Sequence, residues 1–259
     1  MAGYDILGNI AIVKFGRGES KASKVKVARK LLKENKQLRT VLEKAGKFSG
    51  RLRTQKGKYV LGEKTKEALY RENGCEFRFN VDTCYFSPRL AAERAEIAKM
   101  VKKGENVLVM FGGVGPFAVV IGKHSNANKV VSVELGRDCS KYALDNVKRN
   151  KLIGKVEIVQ GDVRKVCPKM RKQGQGVDRV VMARPNLKDD FLDVALPLVK
   201  KSGMIHYYGF YEEEKKDEMI EMINARAKQA KRKIKIVSVK KAGDIGMRKF
   251  RYRVDLKVN

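Results

Sequence analysis

No run of about 18 apolar residues occurs in the chain, so no helix of it is long and apolar enough to cross a membrane. An apolar signal core is also missing, because Tyr4-Asp5 interrupts the opening stretch. These absences lead to the expectation of an intracellular, cytoplasmic protein with no membrane partner; separately, a monomer is expected. Cysteine is sparse and scattered. Cys75, Cys84, Cys139 and Cys167 show no CxxC spacing, and only His124 and His206 accompany them, so no metal site is expected. A chain of this kind needs no disulfide framework.

The other shortage is of acids. Against 58 Lys and Arg stand 29 Asp and Glu, a formal charge of +29 and a pI near 10.0. So basic a protein attracts polyanions, and nucleic acid is the abundant one. A lysine-rich thermophile surface with no partner would show the same balance. Basic residues crowd at 14–58 and 226–253 but keep apolar periodicity there, unlike a disordered tail.

With 259 residues, 43% of them hydrophobic, the chain can bury a real core in one large domain or two unequal ones. Residues 1–15 predict a turn followed by a strand. Residues 20–44 predict an amphipathic helix, since Val25, Ala28, Leu31, Leu32 and Leu38 recur near a helical period. Thr40-Val41-Leu42 reads as a strand, and 46–62 as a basic, glycine-punctuated stretch holding Arg51, Arg53, Lys56 and Lys58. Arg71-Glu-Asn-Gly74 signals a turn. Cys75–Val81 alternates apolar and polar, as a half-exposed strand does. Residues 1–82 are therefore expected to form a small α+β domain.

From about 89 the pattern changes. A helix over Leu90–Lys102 leads into strands at about 106–111, 129–135, 156–160, 177–183 and 203–210. Helical stretches such as Ser140–Asn150 and Asp189–Lys200 separate them. This βαβ repetition predicts a parallel sheet with right-handed crossovers. Ile234–Lys240 and Phe250–Val258 then predict a terminal hairpin, placing one antiparallel strand in the sheet. The expected fold over 83–259 is α/β and Rossmann-like, a largely parallel sheet with an antiparallel C-terminal strand.

Within this domain, Val107-Leu-Val-Met-Phe-Gly-Gly-Val-Gly-Pro-Phe117 reads as a buried strand, a glycine turn and a helix start. Gly112, Gly113 and Gly115 permit a tight turn and close backbone approach to a ligand, and Pro116 suits the first helical turn. Ala118 stands where a dinucleotide fingerprint has its third glycine, so the turn alone is a weak signal. The next strand ends at Glu134-Leu135, where an acid can accept from both ribose hydroxyls. The third ends at Asp162-Val163, where an acid can receive an adenine amine. Glycine, acid and acid on successive strand ends suit an adenosine without phosphates, although either acid alone could be a helix cap. NAD and S-adenosylmethionine share that half, and the terminal hairpin favours the sheet of a class I S-adenosylmethionine-dependent methyltransferase.

Just upstream lies Cys84-Tyr-Phe-Ser-Pro-Arg-Leu-Ala-Ala-Glu-Arg94. Ser87 suits an N-cap and Pro88 a first helical residue. Arg89 and Glu93 then fall at i and i+4 on one helical face, a surface ion pair by default.

Four segments occur in order: Tyr-Asp-x-Leu-Gly-x-Ile-Ala-Ile-Val-Lys at 4–14, Arg-Glu-Asn-Gly-Cys-x-Phe at 71–77, Tyr-Phe-Ser-Pro-Arg-Leu-Ala-x-Glu-Arg at 85–94 and Met-Phe-x-Gly-Val-Gly-Pro-Phe at 110–117. His206-Tyr-Tyr208 completes the series. The chain thereby resembles the archaeal and eukaryotic tRNA (guanine-37-N1)-methyltransferases over essentially its whole length. The resemblance implies a Rossmann-like domain behind a small tRNA-facing domain, and a short form without the further N-terminal domain of many archaeal members. It implies S-adenosylmethionine as cofactor and the tRNA anticodon stem-loop as partner.

By matching positions, the resemblance makes Glu93 the general base and sets Arg53 at the guanine O6. Arg89 and Tyr85 would shape the pocket. Arg94, Phe111, Gly113, Gly115, Pro116, Glu134, Leu135, Asp162, Val163 and Ala183 would line the cofactor. Guanine N1 carries a proton, so methylation needs a base, and a buried carboxylate can serve if a cation steadies the charge growing on O6. One departure concerns the fourth strand end, where the family has Asn-x-Pro and this chain has Ala183-Arg184-Pro185-Asn186. Ala183 lacks the expected side-chain hydrogen bond. The rival resemblances are the wybutosine-pathway aminocarboxypropyltransferase, disfavoured by Arg89 and Pro116, and a catalytically silent tRNA-binding relative.

Overall fold

The computed structural model describes residues 3–50, 54–183 and 189–259, and the chain divides at Pro88 into two compact units. The expected boundary was residue 82.

In the first unit, β1 (Tyr4–Leu7) and β2 (Ile10–Val13) form a hairpin whose turn is Gly8-Asn9. Gly8 has φ 59°, and a Cβ there would lie 1.8 Å from the Leu69 carbonyl oxygen, so only glycine fits. Asn9 completes the junction by accepting from the Leu69 amide at 2.7 Å. α1 (Lys21–Glu34) follows, capped by Ser20, whose hydroxyl accepts from the Ser23 amide. It crosses over to β3 (Thr40–Ser49), which runs parallel to β2. β4 (Thr54–Gly62) returns antiparallel to give the order β1-β2-β3-β4. β5 (Glu67–Glu72) and β6 (Cys75–Asn80) form a separate hairpin at the predicted Asn73-Gly74 turn.

Two expectations change here. The helix over 20–44 stops at Glu34, because Leu38 and Val41 bury with Ala28 and Leu31 from an extended chain rather than along the helix stripe. The stretch 46–62, to which the sequence assigns no element, carries β4: alternation is weak there because none of the β4 residues is fully buried.

A 3-10 turn, Pro88–Leu90, spans the boundary between the units. Then come α2 (Ala91–Met100), β7 (Asn106–Met110), α3 (Pro116–His124), β8 (Lys129–Glu134), α4 (Arg137–Arg149), β9 (Val156–Gln160), α5 (Val163–Lys172) and β10 (Val177–Met182). They are followed by α6 (Leu192–Ala195), β11 (Val199–Glu212), α7 (Lys216–Gln229), β12 (Ile234–Gly246) and β13 (Lys249–Val258). The sheet order is β12-β13-β11-β10-β7-β8-β9, and β13 is antiparallel to both neighbours while β9, β8, β7, β10 and β11 are mutually parallel. This is the Rossmann-like sheet with its antiparallel strand at the expected end.

Val107–Met110 are buried, as a central strand covered on both faces requires. Leu108, Met110 and Met182 join α5, α6 and α7 in the main core, with Val254 and Leu256 of β13. The helix expected over Asp189–Lys200 is only the single turn of α6. Pro197 has no amide to continue the ladder, and Val199 already begins β11.

Candidate active site

Strand register brings the predicted chemistry to one edge. Met110 of β7 is paired with Val133 of β8 and with Met182 of β10, and Glu134 with Gln160 of β9. The residues after these strands therefore lie along the carboxyl edge. There β8 and β9 depart to one side of β7 and β10 and β11 to the other, a crevice where open α/β sheets take ligands.

The turn after β7 is built from backbone in the left-handed region: Phe111 at φ 61°, Gly113 at 56° and Gly115 at 86°. Gly115 caps α3 and Pro116 is its first residue. The Gly112 amide donates to the Val133 carbonyl at 2.9 Å. Glu134 ties this turn to the next: Oε2 accepts from the Gly113 amide at 2.8 Å and Oε1 from the Gly136 amide at 2.6 Å. Burial pushes the Glu134 carboxyl above its ordinary pKa, while the Gly136, Gly113 and Leu135 amides pull the other way. A carboxylate offers about four acceptor sites, so beyond these three amides Glu134 can organise the loop and still accept from a hydroxyl.

Asp162 is the N-cap of α5, accepting from the Arg164 amide at 2.9 Å. Val163 is buried behind it and Leu135 is exposed. Phe111 meets Phe191 edge-on, ring centroids 4.9 Å apart. Arg94 is buried, its guanidinium 5.8 Å from the Phe117 ring. Ala183 directly follows β10, partly exposed. Asp189, Asp190 and Asp193 also converge, but Arg164 and Arg226 pair with them.

Glu93, on α2, is 7% exposed and sits in a dense polar network. Its Oε2 accepts from the Tyr208 hydroxyl at 2.9 Å and from Arg253 Nη1 at 2.8 Å. Its Oε1 faces Lys240 Nζ at 2.9 Å. Glu96 takes the other side of both cations: Arg253 Nη2 donates to Oε1 at 2.6 Å, and Lys240 donates to Oε2. Burial and the neighbouring Glu93 charge hold the Tyr208 hydroxyl well above its ordinary pKa, so it stays a donor.

The network continues behind Arg253. Arg253 Nη2 donates to Asp255 Oδ2 at 3.2 Å, and His206 Nδ1 lies 2.6 Å from Asp255 Oδ1. Arg179 Nη1 lies 2.6 Å from His206 Nε2, and Arg179 in turn clamps Glu105 at 2.7 and 2.9 Å. Arginine only donates and a carboxylate only accepts, so His206 is neutral with its proton on Nδ1. Burial lowers the His206 pKa despite the Asp255 carboxylate, with Arg179 and Arg253 adding to the depression. Burial alone would raise Asp255, but its bonds from His206 and Ser238 and the Arg253 charge bring it down to about 2.

Of the residues singled out in the sequence, Phe111, Gly113, Gly115, Pro116, Glu134, Leu135, Asp162, Val163 and Ala183 fall on the one sheet edge. Arg89 is exposed in the 3-10 turn before α2 rather than on a shared helical face with Glu93, whose oxygens go to Tyr208, Arg253 and Lys240. Tyr85 belongs to the first unit and is partly buried. Arg53, and the Arg184-Pro185-Asn186 that follow Ala183, lie outside the described residues. The motif reading gives no role to Glu96, Lys240, Arg253 or Asp255. A signal existed: Arg253 and Asp255 alternate with Tyr252, Val254 and Leu256 along β13, and charged residues buried in a core strand need partners.

The TRM5/TYW2 methyltransferase domain pattern matches residues 68–237. The chain belongs to this family. It is 32% identical over 257 residues to the tRNA (guanine(37)-N(1))-methyltransferase Trm5b of Pyrococcus abyssi, covering 99% of this chain and 74% of that protein. The crystal structure of that Trm5b superposes with a TM-score of 0.86 at 31% identity, over 99% of this chain and 74% of the other. The tRNA (guanine(37)-N(1))/4-demethylwyosine(37)-methyltransferase Taw22 of Nanoarchaeum equitans is 31% identical over 300 residues, 98% of each chain.

Proposed function

We propose that this protein transfers a methyl group from S-adenosylmethionine to N1 of guanine 37 in the tRNA anticodon loop. The observation that carries the reading is Glu93: a buried carboxylate, at the position the resemblance gives the base, fixed by Tyr208 and Arg253 through one oxygen. The Pyrococcus relative, named for this reaction, aligns over 99% of the chain.

The sheet edge fits the cofactor by the chemistry of its donors and acceptors. Glu134 would accept from ribose hydroxyls and Asp162 from the adenine amine, and the turn at Phe111, Gly113, Gly115 and Pro116 would pass close beneath. Leu135, Val163, Ala183 and Arg94 would complete the lining. Bound there, S-adenosylmethionine supplies a methyl made electrophilic by its sulfonium.

The chain's own part is to place the base and take its proton. Glu93 accepts the N1 proton of guanine, which frees the lone pair for methylation. Tyr208 and Arg253 hold the carboxylate in one orientation, so its geometry is set before the substrate arrives. The roles of Arg53 at O6, and of Tyr85 and Arg89 around the base, rest on matching positions alone. The target lies in an anticodon loop, already single-stranded, so splaying it out costs only about a few kcal/mol. The charge of +29 suits the phosphates around it.

A second reading is methylation of a wyosine intermediate at the same position, as the name of the Nanoarchaeum relative states for that protein. Ala183, where the family has asparagine, lacks that side-chain hydrogen bond and is the sequence argument for weakened or altered activity, or for a catalytically silent tRNA-binding relative. Incubation with methyl-labelled S-adenosylmethionine and tRNA bearing G or A at position 37 tests the main reading. Label in the G form only is expected; no label in the G form ends it. Transfer of the cofactor's amino-acid arm instead establishes the aminocarboxypropyl reaction.

A further inference from the structure

Glu93 and Glu96 share two cations. Arg253 gives one guanidinium nitrogen to each carboxylate, at 2.8 and 2.6 Å, and Lys240 lies between Glu93 Oε1 and Glu96 Oε2. The two oxygens of Glu93 differ. Oε2 is closed off by Tyr208 and Arg253, both almost fully buried. Among the described residues Oε1 meets only the Lys240 ammonium, which Glu96 shares, on a side chain 37% exposed. An ammonium centred on Oε1 would occupy the lone pair a proton must reach and would steady the ionised form, weakening the base.

Glu96 opposes that. It is held ionised, its pKa lowered by the Arg253 hydrogen bond and by Lys240 against the opposing effect of burial. It lies three positions after Glu93 on α2, and so competes for the same lysine.

We propose that Glu96 is a positioning residue for the base: by competing for Lys240, which the two carboxylates share, it weakens the ammonium's hold on Oε1 of Glu93 so that this oxygen can take the proton. The inference rests on the reading of Glu93 as general base. In the step, the guanine N1–H bond breaks and its proton moves to Glu93 Oε1. The freed pair forms the N1–CH3 bond, and the C–S pair of the sulfonium donor returns to sulfur, which leaves as a neutral thioether. The carboxylic acid then returns its proton to solvent. Lys240 thus restrains the base and Glu96 relieves the restraint.

The test is a double-mutant cycle under single-turnover conditions with saturating tRNA and S-adenosylmethionine. Glu96→Gln, at a partly exposed site, is expected to slow methyl transfer about tenfold while KM for tRNA and the cofactor dissociation constant change less than about twofold. Glu96→Gln combined with Lys240→Met is expected to recover to within about threefold of the parent rate, since the ammonium is gone. A crystal structure of Glu96→Gln is expected to show Lys240 Nζ on Glu93 Oε1 alone. A Glu96→Gln rate equal to the parent's overturns the proposal, and so does a double variant as slow as the single one. The underlying reading fails separately: a fully active Glu93→Gln removes the base, whereas an inactive Glu93→Gln beside an unaffected Glu96→Gln sinks this inference alone.

Discussion

Arg253 reaches across 160 positions of sequence to set Nη1 2.8 Å from Glu93 Oε2. The candidate base at the start of the second unit is thus fixed by the last strand of the sheet. Removing Arg253 leaves Glu93 and Asp255 without a cation they share in the interior. Arg253→Met is expected to cost about 3–5 kcal/mol, the range for breaking a buried ion pair from one side. Urea unfolding reads this directly; a loss below about 1 kcal/mol, the range of a surface pair, would mean the contact is solvated rather than buried.

The same network predicts how stability responds to acid. The folded state holds His206 neutral, so its pKa lies below the ordinary value of 6.5. The unfolded chain therefore binds the extra proton first as pH falls, and the stability due to this site is complete above 6.5 and drains away below it. Asp255 acts lower: its folded pKa is about 2, so its contribution is present above the ordinary carboxylate value and is lost as pH falls toward 2. Urea midpoints should decline between pH 7 and pH 5 in the parent, and decline less in His206→Gln. Equal slopes in the two proteins would show that His206 is not the group titrating.

Gly112 makes a steric prediction at the ligand turn. A Cβ at this position would lie 2.1 Å from Ser132 Oγ, which is buried and accepts or donates no hydrogen bond among the described residues. Gly112→Ala is expected to destabilise by about 1–3 kcal/mol, as overpacking does. Adding Ser132→Ala removes the clashing atom, and the next neighbours stand at 3.4 and 3.6 Å, ordinary contacts. The pair should therefore recover most of the loss in thermal unfolding; no recovery would place the strain elsewhere in the turn.

For the nucleic-acid partner the prediction concerns salt. If the basic stretches at 14–58 and 226–253 follow tRNA phosphates, about six contacts imply an affinity loss near 10³-fold between about 50 and 200 mM salt. Filter binding at a series of salt concentrations gives the slope. A flat response would assign the charge of +29 to something other than phosphate contact.

Much of the second unit is legible in the sequence because parallel strands buried on both faces write continuous apolar runs. Val107–Met110 is the clearest example, and the glycine turn after it, with the acids at the ends of β8 and β9, marks the ligand edge. The first unit is harder to read. β4 leaves most side chains partly exposed, and the residues after α1 carry apolar spacing that fits a helix as well as a strand. The helix expected over Asp189–Lys200 fails because Pro197 breaks a pattern that periodicity alone would extend. At the site, Glu93 and Glu134 stand out by position, whereas Lys240, Arg253 and Asp255 do not. Their partners come from α2 and β11, far away in sequence, and only the antiparallel pairing of β13 with β11 and β12 brings them together.

The most direct measurement is the single-turnover rate of methyl transfer to N1 of guanine 37, compared between the parent and Glu93→Gln. Cofactor binding is followed separately by calorimetry. A general base contributes about 10²–10⁴-fold, so the variant is expected to lose at least about 100-fold in rate with its cofactor affinity unchanged. A Glu93→Gln protein that methylates guanine at the parent rate would contradict the account.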